Sequence, residues 1–476
     1  MGSYNWVQPA DLVSGWLGAQ PHQMEYVENR RSIADSGVPT KTLGQICTRL
    51  TQGPNPKYEA HDVPCVVTRT VYDERPLLLD DCNWVSMQEH LQLKRFKLKP
   101  YDVLVTLKGV GACKVNIFLL SDTAIHSREV GVLRLQDGAD APFLSAYLRA
   151  KYGKLLLRQG TLGTAQVTLA TSYLRQLPVP FPDQRIRSFI GAKVELAGRF
   201  LLESRTFHEE ASSALAKHWA WTAAEESIAA VGATKAHMVD CEIFDDRLDS
   251  EFYQPRFLAL SDWLTERECW DLGELVEPPA KGVQPTYDLA GTIPALTVTH
   301  VDPFLLERAN ATGFVTETWL RANPRARIEA GELLFTVTGP PLGETVVVED
   351  FHLPAAVNSH IARVRTKDAF PYPHLLAAML NSPLGRLMTT RFCKGIRQKE
   401  LYPEDFLRFR FPRIPETQVT PLDRKFQNSC RLAERARALI QEAKADVEAL
   451  IDGTLDTKAI LSGKLKPPTE EEVLGA

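Results

Sequence analysis

The sequence predicts an α/β (α+β) protein: two similar domains related by a pseudo-two-fold axis and separated by two long helices in an antiparallel coiled coil. Three observations carry this reading. The chain repeats itself once at long period, each copy ends in a proline-rich strand, and a heptad pattern follows each copy.

The repeat is a whole domain. Leu43-Gly44 reappears as Leu272-Gly273, Gly53 as Gly282, Pro56 as Pro285 and Tyr58 as Tyr287, at an offset of 229. The offset becomes 230 at Leu104/Leu334, Thr106/Thr336 and Gly109/Gly339, and 232 at Gly163/Gly395, Gln166/Gln398 and Pro180/Pro412. So small a drift needs only short loop insertions. The period far exceeds the roughly 20–50 residues of a solenoid repeat.

The helices repeat as well. Ile190, Val194, Ala197, Leu201, Ser204, His208, Ala211 and Leu215 align at offset 232 with Leu422, Phe426, Ser429, Ala433, Ala436, Ile440, Ala443 and Val447. The alternating spacing of four and three is a coiled-coil seam. Neither seam is apolar enough to stand alone in water, so Val194, Leu201 and Leu215 on one helix and Phe426, Ile440 and Val447 on the other are expected to be buried by pairing. The alternative is two unrelated amphipathic helices, each docked on its own domain.

The segments read as follows: 1–40 an irregular or partly helical lead-in, 41–182 the first lobe, 183–232 the first helix, 249–415 the second lobe, 416–453 the second helix and 454–476 a solvated tail. Strand-like runs lie at Pro64–Val71, Asp102–Leu107 and Gly131–Leu135, and Phe143–Leu157 reads as helical. Asp183 is placed to cap the first helix.

Composition sets bounds. With 44% hydrophobic and 24% charged residues the chain is ordinary for a soluble protein, expected in the cytoplasm. No apolar run approaches the ~18 residues of a membrane span, and the N-terminus does not resemble a secretory signal. The eight cysteines form no Cys-x-x-Cys pair and are read as reduced core thiols. A net charge of −4 does not advertise nucleic acid, but phosphate contacts need only local basic patches.

Catalytic signatures are missing. The sequence has no phosphate-binding Gly-x-x-x-x-Gly-Lys-Ser/Thr loop, no His-Glu-x-x-His, no Gly-x-Ser-x-Gly and no Asn/Asp-Pro-Pro-Tyr methyltransferase tetrapeptide. Gly109-Val110-Gly111 is read as a strand-ending turn, because its counterpart Gly339-Pro340-Pro341 keeps only the first glycine. Histidines do not cluster at ligand spacing, so no metal is expected.

What remains is a recognition pattern in the turns. The first lobe offers Lys57, Tyr58, Thr106, Lys108, Lys114, Thr161, Gly163, Thr164 and Gln166. The second offers Lys281, Gln284, Tyr287, Thr338, Lys394, Gly395, Arg397, Gln398 and Lys399. Arg, Lys, Gln and Asn can pair with base edges, while glycine and threonine let backbone and hydroxyl donors reach phosphate. Lys394, Arg397 and Lys399 crowd one loop and need a neutraliser, for which phosphate is the expected candidate. Turns are polar in any protein, so solvated loops remain the plain alternative.

In this order the motifs resemble the specificity subunit of type I restriction-modification systems. The carrying residues are Leu-Gly…Gly-x-x-Pro-x-Tyr opening each lobe and Lys99-Pro-Tyr-Asp-Val-Leu-Val-Thr-Leu-Lys-Gly109. With them go Gly163-Thr-Ala-Gln166, its counterpart Gly395-Ile-Arg-Gln398, and the proline-ended strand before a long helix. Arg247-Leu-Asp-Ser-Glu-Phe-Tyr-Gln-Pro255 resembles the lead-in to a recognition domain. The resemblance spans roughly residues 40–450. It implies two target recognition domains reading a bipartite duplex DNA site and no catalysis by this chain. It also implies modification subunits as partners, two of them expected, with S-adenosylmethionine bound there, and a translocating restriction subunit in a full system. Pro340-Pro341 departs from the family pattern, which leaves room for a related, non-standard defence system. Two rival readings stay open: a non-catalytic two-lobed adaptor, and a DNA-modifying enzyme with divergent motifs.

Overall fold

The computed structural model describes residue 12 and residues 19–474, apart from residues 60, 80–81, 110, 164–166, 232–237, 245–246, 304, 309–310 and 396. It divides into two compact units. One comprises residues 1–202 with 434–476, and the other residues 203–433. Each unit holds one lobe and part of both long helices.

The two lobes share one topology. In the first, a four-stranded antiparallel sheet runs Cys47–Gln52, Val130–Leu135, Asp102–Thr106, Val115–Phe118. A three-stranded sheet runs Asn83–Val85, Val63–Val66, Ile125–His126, its last pair parallel. The second lobe repeats both orders, as Ala280–Lys281, Ile361–Val364, Leu333–Thr336, Thr345–Val347 and as Phe314–Val315, Ile293–Leu296, Ala356–Val357. The central strands are buried on both faces and read as continuous apolar runs, Val103-Leu104-Val105 and Leu333-Leu334-Phe335. A two-stranded ribbon closes each lobe: Thr40–Thr42 pairs with Pro178–Pro180, and Cys269–Asp271 with Arg410–Pro412.

The retained motif residues are structural. Asp102 accepts from Arg134 at 2.7 Å and from the Lys99 amide at 2.8 Å. Glu332, its counterpart, accepts from the Glu329 amide and from Arg363 and Arg365. Gly53 and Gly282 are needed because a Cβ there would lie 2.2 Å from Ser127 O and 2.3 Å from Val357 O, respectively.

Helical bounds differ from the sequence reading in instructive ways. The run expected over 143–157 is two helices, Ala141–Arg149 and Lys151–Gln159, split at the extended Ala150. Part of the lead-in is helical: Met24–Asp35 is a helix packed on Lys151–Gln159, through Asn29 to Tyr152 O and Arg30 to Gln159. Its counterpart is Pro255–Thr265. The first long helix covers Gln184–Trp219, with Asp183 accepting from the Arg185 amide. It stops at Ala220 (φ 53°), and a second helix, Trp221–Val231, follows. Its expected end at Gly232 lies outside the described residues. The other long helix covers Glu416–Ile451. The tail is not wholly solvated: Thr457–Leu461 is helical, Ile460 is buried, and Arg185 donates to Leu461 O at 2.7 Å.

Within each unit the two long helices touch, and the paired numbers run in opposite directions. In the first unit Lys193 pairs with Asp446 at 2.7 Å. In the second, Ser204 Oγ donates to Ser429 O at 2.6 Å, His208 packs edge-on to Phe426, and Lys425 pairs with Glu210. The helices are therefore antiparallel. Val194, Leu201, Leu215, Phe426, Ile440 and Val447 are all buried, as is every other seam position except the half-buried His208.

Candidate nucleic-acid interface

Each lobe brings two of the sequence-selected loops together. The turn after the central strand lies along a glycine-centred hairpin. In the first lobe Gly109 N donates to Val167 O at 3.0 Å, Lys108 bridges to Thr168, and Thr161–Leu162 pairs with Thr168–Leu169. In the second, Gly339 N donates to Lys399 O at 3.3 Å, and Glu400 bridges to both Thr338 and Lys394. Gly163 and Gly395 hold φ of 90° and 105°, a region that L side chains avoid. A Cβ on Gly395 would also meet Gln398 O at 2.3 Å. Thr164 and Gln166 lie outside the described residues.

The selected threonines face inward. Thr106 is fully buried, and its hydroxyl donates to Gly111 O at 2.5 Å and accepts from Lys114 N at 2.8 Å. Thr161 is buried and donates to Arg158 O, and Thr338 is buried as well. Thr106 and Thr161 spend their hydroxyl hydrogens within their own loops, and all three are buried, which corrects their assignment as surface donors. A hydroxyl has one hydrogen to donate, and a hydrogen already given within its own loop is not available to a ligand.

The cations need a second correction. Lys394 lies 2.7 Å from Asp405, Lys399 pairs with Glu251, and Lys281 pairs with Glu400. Carboxylates of this chain, rather than phosphate, are their neutralisers here. Tyr402 adds a ring 5.3 Å from Lys281 and 5.4 Å from Lys394. Arg397 and Gln398 are exposed, and Arg397 has no acidic partner among the described residues. In the first lobe, Lys108 is half-buried. Lys114 sits 5.6 Å from the Tyr72 ring, which Arg75 also covers at 4.0 Å.

The remaining loop lies elsewhere, against the three-stranded sheet. Lys57 is exposed, and its amide donates to Glu89. Tyr58 is 46% exposed yet has its hydroxyl tucked among Cys65 and Asn83, where burial pushes its pKa up to about 12. Tyr287 is 53% exposed and covers Gly313, where a Cβ would strike its ring. Gln284 is exposed.

Selecting loop residues missed the clamp beneath the second hairpin. Arg247, 4% exposed, pairs with Asp249 at 2.7 Å and donates to Phe392 O at 2.8 Å, and it receives the Tyr253 hydroxyl on its own carbonyl. Asp405, 2% exposed, sits within 3.9 Å of both Arg247 and Arg408. The signal was present in the run Arg247–Pro255, whose arginine, glutamate and tyrosine all hold the base of the hairpin.

No protein-family model matches this sequence, and no curated protein matches it. Several solved structures are similar to it, three of them as follows. One is a type I restriction-modification S subunit from M. genitalium, at 13% identity and TM-score 0.35, covering 88% of this chain and 95% of that one. The HsdS subunit from Thermoanaerobacter tengcongensis matches at 16% identity and TM-score 0.28, covering 88% and 97%. A chain from a study of complex assembly and conformational transition of the type I R-M system matches at 16% and 0.28, covering 88% and 99%. Among the described residues no cluster of three His, Cys, Asp or Glu could hold a metal, and no helix is long and apolar enough to cross a membrane.

Proposed function

We propose that this chain is a sequence-specificity subunit that reads a bipartite duplex DNA target, one half-site per lobe, without chemistry of its own. One observation carries the reading. The same glycine-centred hairpin, laid on the same strand-end turn, occurs in both lobes, while its sequence differs: Gly163 and Gly395 are retained, but Arg397 stands where the first lobe has Ala165. A retained frame with divergent tips suits two related readers of different sequences. Arg397 and Gln398 are the base-reading candidates of the second lobe, and backbone amides of both hairpins are candidates for phosphate. The motif resemblance adds modification subunits, which would bind S-adenosylmethionine, and a translocating restriction subunit as partners that the chain directs to the site.

The test is selection from a random duplex library with the purified full chain, followed by affinity measurement at several salt concentrations. Two short, different, defined sequences separated by a fixed undefined spacer are expected. A single continuous motif, or binding equal for all sequences, would contradict the reading. Methyl transfer from labelled S-adenosylmethionine by the isolated chain would favour the enzyme instead.

A further inference from the structure

The two lobes differ sharply at one equivalent place, where the helix before each lobe meets the helix leading into the hairpin. In the first lobe Arg30 fills the space: its Nε donates to Gln159 at 2.7 Å, its Nη2 to the Tyr173 hydroxyl at 3.2 Å, and it stacks on that ring. Adding 231 or 232 gives Ser261, Arg391 and Asp405 in the second lobe. The arginine has moved to the facing helix, and a small serine stands where the long side chain was. A cavity of about 350 Å³ opens there, lined in part by Ser261, Met388, Arg391, Arg408, Arg410 and Phe252.

The cavity is built for an anion. Arg391 Nη1 donates to Ser261 Oγ at 2.6 Å, its Nε is buried and unpartnered, and it has no carboxylate partner among the described residues. It stacks on Phe252 at 4.4 Å and Phe392 at 5.6 Å, and burial lowers its pKa to about 10. Among the described residues its hydrogen-bond partner, Ser261, is neutral, and an incoming anion would restore what burial removed. Arg408 shares the buried Asp405 with Arg247 and Lys394, and Arg410 pairs with Asp271 at 3.1 Å. Of the three lining arginines, Arg391 is the one with no carboxylate partner among the described residues, and its planar guanidinium suits the oxygens of a phosphate. The volume exceeds a bare ion, and the Phe252, Leu264 and Met388 lining suits an organic body beside the charge.

We propose that this cavity binds a phosphate monoester of about mononucleotide size, either a free nucleotide or the 5′-phosphorylated end of a DNA strand. The proposal is independent of duplex recognition by the hairpins. Isothermal titration of the full chain with adenosine monophosphate should give saturable one-to-one binding, with none for adenosine. Arg391→Gln should weaken it by about tenfold or more. Because that variant exposes a rearranged core, a second is needed. Ser261→Arg with Arg391→Gln installs the first lobe's own pair and should keep the thermal transition while abolishing binding. Competition by a 5′-phosphorylated oligonucleotide, but not by its unphosphorylated form, would identify a strand end as the source. Lack of competition would identify the free nucleotide. No saturable heat up to about 10 mM adenosine monophosphate, binding unchanged in both variants, or inorganic phosphate binding equally well would overturn the proposal.

Discussion

Lys394 Nζ stands 2.7 Å from Asp405 Oδ2, and that carboxylate is only 2% exposed. Arg247 and Arg408 each approach its other oxygen at 3.9 Å. One buried acid thus ties the candidate hairpin to the segment preceding the second lobe. Replacing Asp405 with alanine removes the carboxylate that Lys394 meets at 2.7 Å, while Arg247 keeps Asp249 and the Phe392 carbonyl. The expected cost is about 1–3 kcal/mol, read as a lower urea midpoint for the unit containing residues 203–433. Trypsin should then cut faster at Lys394 and Lys399, and an unchanged cleavage rate would contradict the clamp.

The internal ion pairs alter what DNA binding should show. Lys394 and Lys399 already have carboxylate partners, so Lys394→Ala with Lys399→Ala should change the salt slope by less than one unit. Arg397→Ala should lower the slope by about 0.9 if Arg397 meets a phosphate. If it instead reaches a guanine, discrimination at one base pair should fall by roughly 1–3 kcal/mol. Fluorescence anisotropy on cognate and scrambled duplexes at several salt concentrations separates these results.

The helix seam should be costly to disturb. Ile440 is 1% exposed, and Ile440→Ala is expected to destabilise by ~2–5 kcal/mol through lost burial and a residual cavity. Ser204→Ala, which removes a buried hydrogen bond to Ser429 O but leaves the carbonyl its helical partner, should cost only about 1 kcal/mol. Chemical denaturation of both variants checks the ranking.

His126 provides a pH signature. It is 1% exposed, its Nδ1 lies 2.9 Å from Val130 O, and burial lowers its pKa to about 4. In the unfolded chain it titrates near 6.5. Between these values the unfolded state binds the proton and the folded state does not, so stability falls as pH drops from about 6.5 towards 4. The loss from this group is roughly 3 kcal/mol at most. His126→Val, the residue at the equivalent position 357 of the second lobe, should flatten this part of the stability–pH curve.

Tyr101 and Gly331 occupy the same corner, with φ of 69° and 81°. A tyrosine in the left-handed region is strained by about 1 kcal/mol or more. Tyr101→Gly should therefore be close to neutral despite the ring it removes, whereas Gly331→Tyr should lower the melting temperature clearly. Differential scanning calorimetry of the two variants decides this.

Much of the frame was legible in the sequence, for physical reasons that leave marks at fixed spacing. A glycine forced by close backbone approach, such as Gly53 or Gly282, tolerates no substitute, so the duplication stays visible. A helix pairing along its length must bury one residue in every three or four, so the seam from Ile190 to Leu215 could be read directly. The acid of the Lys99–Gly109 motif was visible too, although its structural duty to Arg134 was not.

The tertiary structure alone decided the fate of the charges and hydroxyls. Lys399 finds Glu251, and Lys281 finds Glu400, across more than a hundred residues. Thr106 spends its hydroxyl inside its own turn. Such pairings are set by distance through space, carry no period along the chain, and cost the sequence only one suitable residue at each end. The backbone frame was thus written in the spacing of small and apolar residues. Which polar side chains stay available to a ligand depended on how that frame folded back on itself.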